Sequence, residues 1–308
     1  MDGCADYCDA MSFNDGAQLD PSQAEDRRGG MGTGKKVGIG LGGGLVLLIG
    51  ALLGINPSLL EGLTGAGTGQ EPAATGTQGI AACKTGAQAN ERLDCRIVGT
   101  ANSLNDFWPA YLKPYGVDYT VPTTVIFSNG TNTACGPATT DVGPFYCPGD
   151  GKAYFDPAFF QELETRFGSS GGPLAQEYVV AHEFGHHIQD LLGTIGRAQQ
   201  DPQGAASASV RTELQADCYA GIWIRYASSQ PDPATGQPFL EKITQKDLND
   251  ALSAASSVGD DRIQQAATGS TNPETWTHGS SAQRQKWLYT GYQTADLQSC
   301  DTFAVKTP

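Results

Sequence analysis

Apolar residues recur at three- and four-residue spacing through Val180, Ala181, Phe184, Ile188 and Leu191, the period of an amphipathic helix. The Gly-rich stretch 168–173 breaks the chain ahead of it, Pro173 suits a first helical turn, and Gly193 is a natural stop. A second helix reads through Leu214, Cys218, Ile222 and Ile224. Helical periods also run over residues 87–112, through Phe159, Phe160, Leu163 and Phe167, and over 240–255 and 282–297. Residues 121–128 and 152–156 read as strands, while 194–209 and 228–238 read as loops. The pattern predicts an α+β domain, mostly helical with a small sheet and without internal repeats.

The first 82 residues follow no such pattern. Residues 1–36 are polar, without apolar periodicity, and are expected to be a disordered tail. Residues 37–55 carry no charge and are long enough, at 1.5 Å per residue, to cross a hydrocarbon core of about 30 Å. Residues 56–82 are a Gly, Thr, Ala, Pro and Gln linker, and 83–308 are the folded domain. Basic residues precede the apolar run and none follows until Lys84, so the positive-inside rule places the N-terminus in the cytoplasm and the domain outside, behind one transmembrane helix. The long charged leader argues against a cleaved signal peptide. Small-residue spacings at Gly40/Gly44 and Gly50/Gly54 offer a face for self-association within the membrane.

A formal net charge of −14 excludes the basic footprint that a nucleic-acid partner needs. Cys4 and Cys8 lie in the tail, while Cys83, Cys95, Cys135, Cys147, Cys218 and Cys300 lie in the domain. Six cysteines outside the cytoplasm suggest disulfides. Joining sequence neighbours pairs Cys83 with Cys95, Cys135 with Cys147, and Cys218 with Cys300, although sequence alone does not select one connectivity.

The first helix carries the chemistry. Its His182-Glu183-Phe184-Gly185-His186 is an H-E-x-x-H motif, and residues i and i+4 lie one above the other on one helix face. His182 and His186 therefore aim at one point, as zinc ligands would, with Glu183 placed as general base toward a metal-activated water. The second helix adds Glu213 as third ligand and, one turn on, Asp217 to hold the spare ring N–H of a ligating histidine. The longer motif with a third histidine fails, because the chain has Gln189 and Leu192 where it requires Gly and His. His187, about 100° round the helix from His186, reads as a packing residue or as one that supports a ligand from behind.

These residues resemble a bacterial family of membrane-anchored proteins known as "putative neutral zinc metallopeptidases". The resemblance is carried by Ala24-Glu-Asp-Arg-Arg-Gly29, Tyr146-Cys-Pro148, Ala153-Tyr-Phe-Asp156 and Arg166-Phe-Gly168. It continues through Tyr178 to Gln189, Glu213 to Gly221 and His278 to Arg284, and begins near residue 20. It implies a zincin-like α+β fold with His182 and His186 as ligands and Glu183 as catalytic residue. Glu213 as third ligand fits the gluzincin arrangement.

The expected reaction is zinc-dependent hydrolysis of a peptide or protein, with Glu183 moving the proton. His278 is the candidate donor to the oxyanion, with Tyr154 and Tyr219 behind it. Arg284 could orient Glu213, Asp217 or a substrate carboxylate, but reads more simply as a surface ion pair. The strand at 152–156 is where a substrate could add to a sheet edge. Two rival readings are a non-catalytic envelope protein and a zinc amidase acting on cell-wall peptide. Retention of Glu183 speaks against the first, since a structural site needs no base.

Overall fold

The computed structural model describes residues 12–28 and 79–308. Among the described residues eight helices accompany a small sheet: α1 (Gly86–Glu91), α2 (Leu93–Leu112), α3 (Pro157–Thr165), α4 (Pro173–Leu191), α5 (Ala208–Ala227), α6 (Gln245–Ser257), α7 (Asp260–Thr268) and α8 (Ser281–Thr294). The strands are β1 (Ala24–Asp26), β2 (Thr123–Ile126), β3 (Gly130–Thr133), β4 (Gly136–Thr139), β5 (Phe145–Cys147) and β6 (Lys152–Phe155). The α+β reading holds. The single helix expected over 87–112 is two, because Arg92 is extended (φ −129°, ψ 125°) between α1 and α2.

The main sheet has the order β1-β2-β6-β5, parallel except for the β5–β6 pair, and β3 and β4 form a separate antiparallel hairpin. Side chains alternate across a strand. Ala153 and Phe155 of β6 join the main core, whereas Tyr154 packs with Val125, Phe127 and Cys147 on the opposite face. β6, expected to offer a substrate-binding edge, is paired on both sides, and β5 is the edge instead.

Helix α4 is packed against α2, α5 and α6, with β5 and β6 beside it. Gly185 lets α5 approach closely: a Cβ there would lie 2.8 Å from the Ala216 carbonyl oxygen. Gly221 of α5 and Gly291 of α8 do the same for the next crossing, where added Cβ atoms would meet the Leu288 and Cys218 carbonyl oxygens at 2.1 and 1.9 Å. Trp108, Tyr178, Phe184 and Trp223 fill the core between these helices. All three expected disulfides form: Cys83–Cys95, Cys135–Cys147 and Cys218–Cys300.

The polar stretch expected to be a disordered tail over 1–36 is, over 12–28, part of this fold. Phe13, Ala17 and Leu19 are buried in the main core, and β1 adds to the sheet alongside β2. Its apolar residues are few and its hydrogen-bond partners lie far along the chain, so it carries no local periodicity. Cys4, Cys8, the apolar run 37–55 and nearly all of the linker fall outside the described residues. Among the described residues no helix is long and apolar enough to cross a membrane.

Candidate metal centre

Pro173 opens α4 behind Gly172, and Ser207 caps α5 by accepting the Val210 N–H at 3.2 Å. The two helices cross where Gly185 meets Ala216, which brings the first histidine-bearing turns of α4 against the first turns of α5. His182 Nε2 lies 3.2 Å from Glu213 Oε2, and His186 Nε2 lies 3.5 Å from Glu213 Oε1. One donor atom from each residue falls within 4.8 Å of the others. Cys83, Asp94 and Cys95 also cluster, but both thiols are consumed in a disulfide.

Each imidazole is fixed through its other nitrogen. His182 Nδ1–H donates to Asp217 Oδ1 at 2.8 Å, and that oxygen also accepts Tyr178 Oη–H at 2.6 Å and Arg284 Nη2–H at 2.9 Å. His186 Nδ1–H donates to Gln189 Oε1 at 2.9 Å. The Gln189 amide is itself set by donating to the Thr212 carbonyl at 2.7 Å and to Gln215 Oε1 at 3.1 Å. Asp217 stands where helix periodicity places it. Gln189, three residues after His186, escaped the sequence reading because its role depends on α5 lying alongside.

The charges favour a cation between these groups. Burial pulls the His182 imidazole down, but Asp217 and Glu213 outweigh it and raise it to about 10. His186 is likewise raised by Glu213 against the effect of burial. Burial pushes Glu213 up, yet His186, His278 and the hydrogen bonds from His182 and His186 hold it well below the usual carboxylate range. Two imidazoles whose far nitrogens are already engaged, together with a carboxylate, form a donor set suited to zinc, which takes three protein ligands and leaves one position open in catalytic sites.

These residues line an open cavity together with Glu183, Val179 and His278. Burial raises Glu183, although His182 and His186 pull it back. His278 sits in the loop before α8, where Asp260 Oδ2 accepts the backbone N–H groups of Thr277, His278 and Gly279 at 2.8, 2.7 and 2.9 Å. The cavity wall beyond the metal ligands is largely apolar, with Phe159, Leu163, Phe167, Val258 and Ile263, and Phe145 and Tyr146 of the β5 edge also face it.

Other expectations are corrected. Tyr154 points to the opposite sheet face, where its hydroxyl donates to Asp150 at 2.8 Å. Tyr219, two residues past Asp217, turns away from the cavity toward Trp108. Tyr146 and Tyr178 are the tyrosines that line it, with their hydroxyls donating to Asp190 and Asp217. Arg284 is no surface residue: it is 3% exposed and bound to Asp217. His187 packs as expected, its Nε2–H donating to the Thr120 carbonyl at 2.7 Å.

A family profile described as "Putative neutral zinc metallopeptidase" matches residues 14–303. Protein Rv2575 of Mycobacterium tuberculosis is 54% identical over 299 residues, which cover 96% of this chain and 98% of that protein. YpfJ of Escherichia coli is 40% identical over 206 residues, 65% of this chain and 68% of that protein. Both are named only as uncharacterized proteins. No solved structure matches.

Proposed function

Because the chain belongs to the "putative neutral zinc metallopeptidase" family, we propose that it is a zinc-dependent peptidase that works outside the cytoplasm. The observation that carries this reading is the convergence of His182 Nε2, His186 Nε2 and the Glu213 carboxylate in a cavity that also holds Glu183. The three disulfides support an oxidising compartment.

His182, His186 and Glu213 would hold the ion, and Asp217 and Gln189 would keep both imidazoles turned toward it. When bound, zinc supplies Lewis acidity toward a water and a carbonyl oxygen. Glu183 removes a proton from the attacking water as its oxygen bonds to the scissile carbon. It then delivers that proton to the amide nitrogen as the C–N bond breaks, leaving a carboxylate and an amine. His278 donates to the oxyanion as negative charge develops there. The β5 edge can take an extended peptide by backbone pairing, and the apolar wall receives its side chains.

The test combines metal content and turnover. Purified protein supplied with zinc should hold about one ion per chain, with marked loss in Glu213→Ala. Mass spectrometry of a mixed peptide pool should show new termini with the parent protein, and Glu183→Gln should lower the rate by about 10²-fold or more while zinc is retained. Full activity in Glu183→Gln would remove the general-base role. A zinc-loaded parent that cuts no peptide would instead favour a binding role.

A further inference from the structure

The N-terminal residues are held by groups that lie on the far side, in sequence, of the apolar run 37–55. Asn90 Oδ1 accepts the N–H groups of Ser12 and Phe13 at 3.2 and 3.0 Å, and its Nδ2 donates to the Phe13 carbonyl at 2.9 Å. Asn102 treats Asp20 the same way, accepting its N–H at 2.8 Å and donating to its carbonyl at 3.1 Å. Asn14 N–H donates to the Phe239 carbonyl at 2.9 Å, and Arg28 reaches Asp94 at 2.9 Å.

The receiving surface is shaped for this segment. A Cβ on Gly99 would come within 2.8 Å of the Phe13 ring, and one on Gly86 within 1.8 Å of the Asn14 carbonyl oxygen. Phe13 is 1% exposed, Ala17 is fully buried, and β1 pairs along its whole length with β2. Residues 12–28 therefore complete the core and sheet of the domain.

The ends of the intervening stretch also meet. Asp26 Oδ2 lies 3.5 Å from the Ile80 nitrogen, so the chain leaves the domain and returns at one corner. A hydrocarbon core is about 30 Å thick. A chain that crossed it once between residues 28 and 79 would place Asp26 and Ile80 on opposite faces, where no hydrogen bond, strand pair or shared core can join them.

We infer that residues 12–28 and 79–308 lie on the same side of any bilayer that the chain meets, so that the chain makes no net crossing between them. This replaces the single-pass arrangement with a cytoplasmic N-terminus, and it is independent of the catalytic reading.

The experiment uses the full chain in cell membranes, with one epitope at each terminus and external protease applied to sealed right-side-out vesicles. Both epitopes should be digested together or protected together. A second measurement uses Gln18→Cys with Thr85→Cys, an antiparallel pair flanked by the Leu19–Lys84 and Gly86–Ala17 backbone bonds. Such a pair has its Cα atoms about 4.5 Å apart, within disulfide range. After cleavage at a protease site inserted within residues 56–78, the N-terminal fragment should stay joined to the domain until reductant is added. Epitopes on opposite faces would overturn the inference. So would a free fragment from chains in which the Cys83–Cys95 bridge has formed.

Discussion

Asp217 accepts both Nε–H and Nη2–H of Arg284 at 2.9 Å, and the pair is sealed beneath His182. One carboxylate thus fixes the His182 imidazole and neutralises a buried guanidinium.

Breaking this pair should be costly. Arg284→Met leaves Asp217 buried without its cation, and urea unfolding should show a loss of about 3–5 kcal/mol. The double variant Asp217→Asn, Arg284→Met should recover a large part of that loss, because neither charge then remains alone. Equal stability of the parent and Arg284→Met would show that water compensates Asp217.

Gln189 should matter to metal affinity rather than to folding alone. Gln189→Leu frees His186 Nδ1–H from its acceptor, and competition with a chelating dye should report zinc bound about 10–100-fold more weakly. Gln189→Glu keeps an acceptor at the same reach and should restore much of the affinity. Unchanged affinity in the Leu variant would mean that packing orients the ring without this hydrogen bond.

Glu177 should make stability depend on pH. It is fully buried, with Arg96 Nε 3.8 Å away and the Ser12 hydroxyl donating to it. Burial pushes its carboxyl up from 4.5 to about 7 despite both partners. An acid raised on folding contributes stability that is complete below about 4.5 and is lost as pH rises through about 7. The unfolding free energy of the parent from urea titration, compared with that of Glu177→Gln, should therefore fall across that window by on the order of 3 kcal/mol and then level off. A pH-independent difference would contradict the assignment.

The Cys218–Cys300 bridge spans 82 residues and ties α5 to the chain beyond α8. Replacing both cysteines by alanine should cost about 2–5 kcal/mol in thermal or urea unfolding. Chelator should abolish activity in the parent without any reductant, since neither metal ligand histidine nor Glu213 depends on a thiol.

Much of the centre is legible in the sequence because helix geometry is local. His182 and His186 at i and i+4, and Glu213 and Asp217 at the same spacing, need no knowledge of the rest of the fold. Gln189 and Tyr178 are not legible, because the groups of α5 that set the Gln189 amide and accept the Tyr178 hydroxyl are not apparent from the α4 sequence. Arg284 reads as an ordinary surface cation until α8 is laid across α5. Tyr154 and Tyr219 mislead for the opposite reason: each neighbours a matching motif but projects from the other face of its strand or helix. The fold follows the same division. Long periodic helices appear in the pattern, whereas β1 and the residues around it have short polar sequence and are defined by asparagines more than 75 positions away. The β3–β4 hairpin and α7 carry too few apolar residues to announce themselves.

The contact between Gly185 and Ala216 has a consequence for how the centre acquires its ion. Ligands from two separate helices would ordinarily have to surrender motional freedom at the moment of capture. Here backbone lies against backbone at the crossing, so the spacing of α4 and α5 does not depend on the rotamer of any intervening side chain. The ordering entropy is lost when the chain folds, and under the proposed reading an incoming ion would meet ligands already held together, which lowers the reorganisation needed for binding.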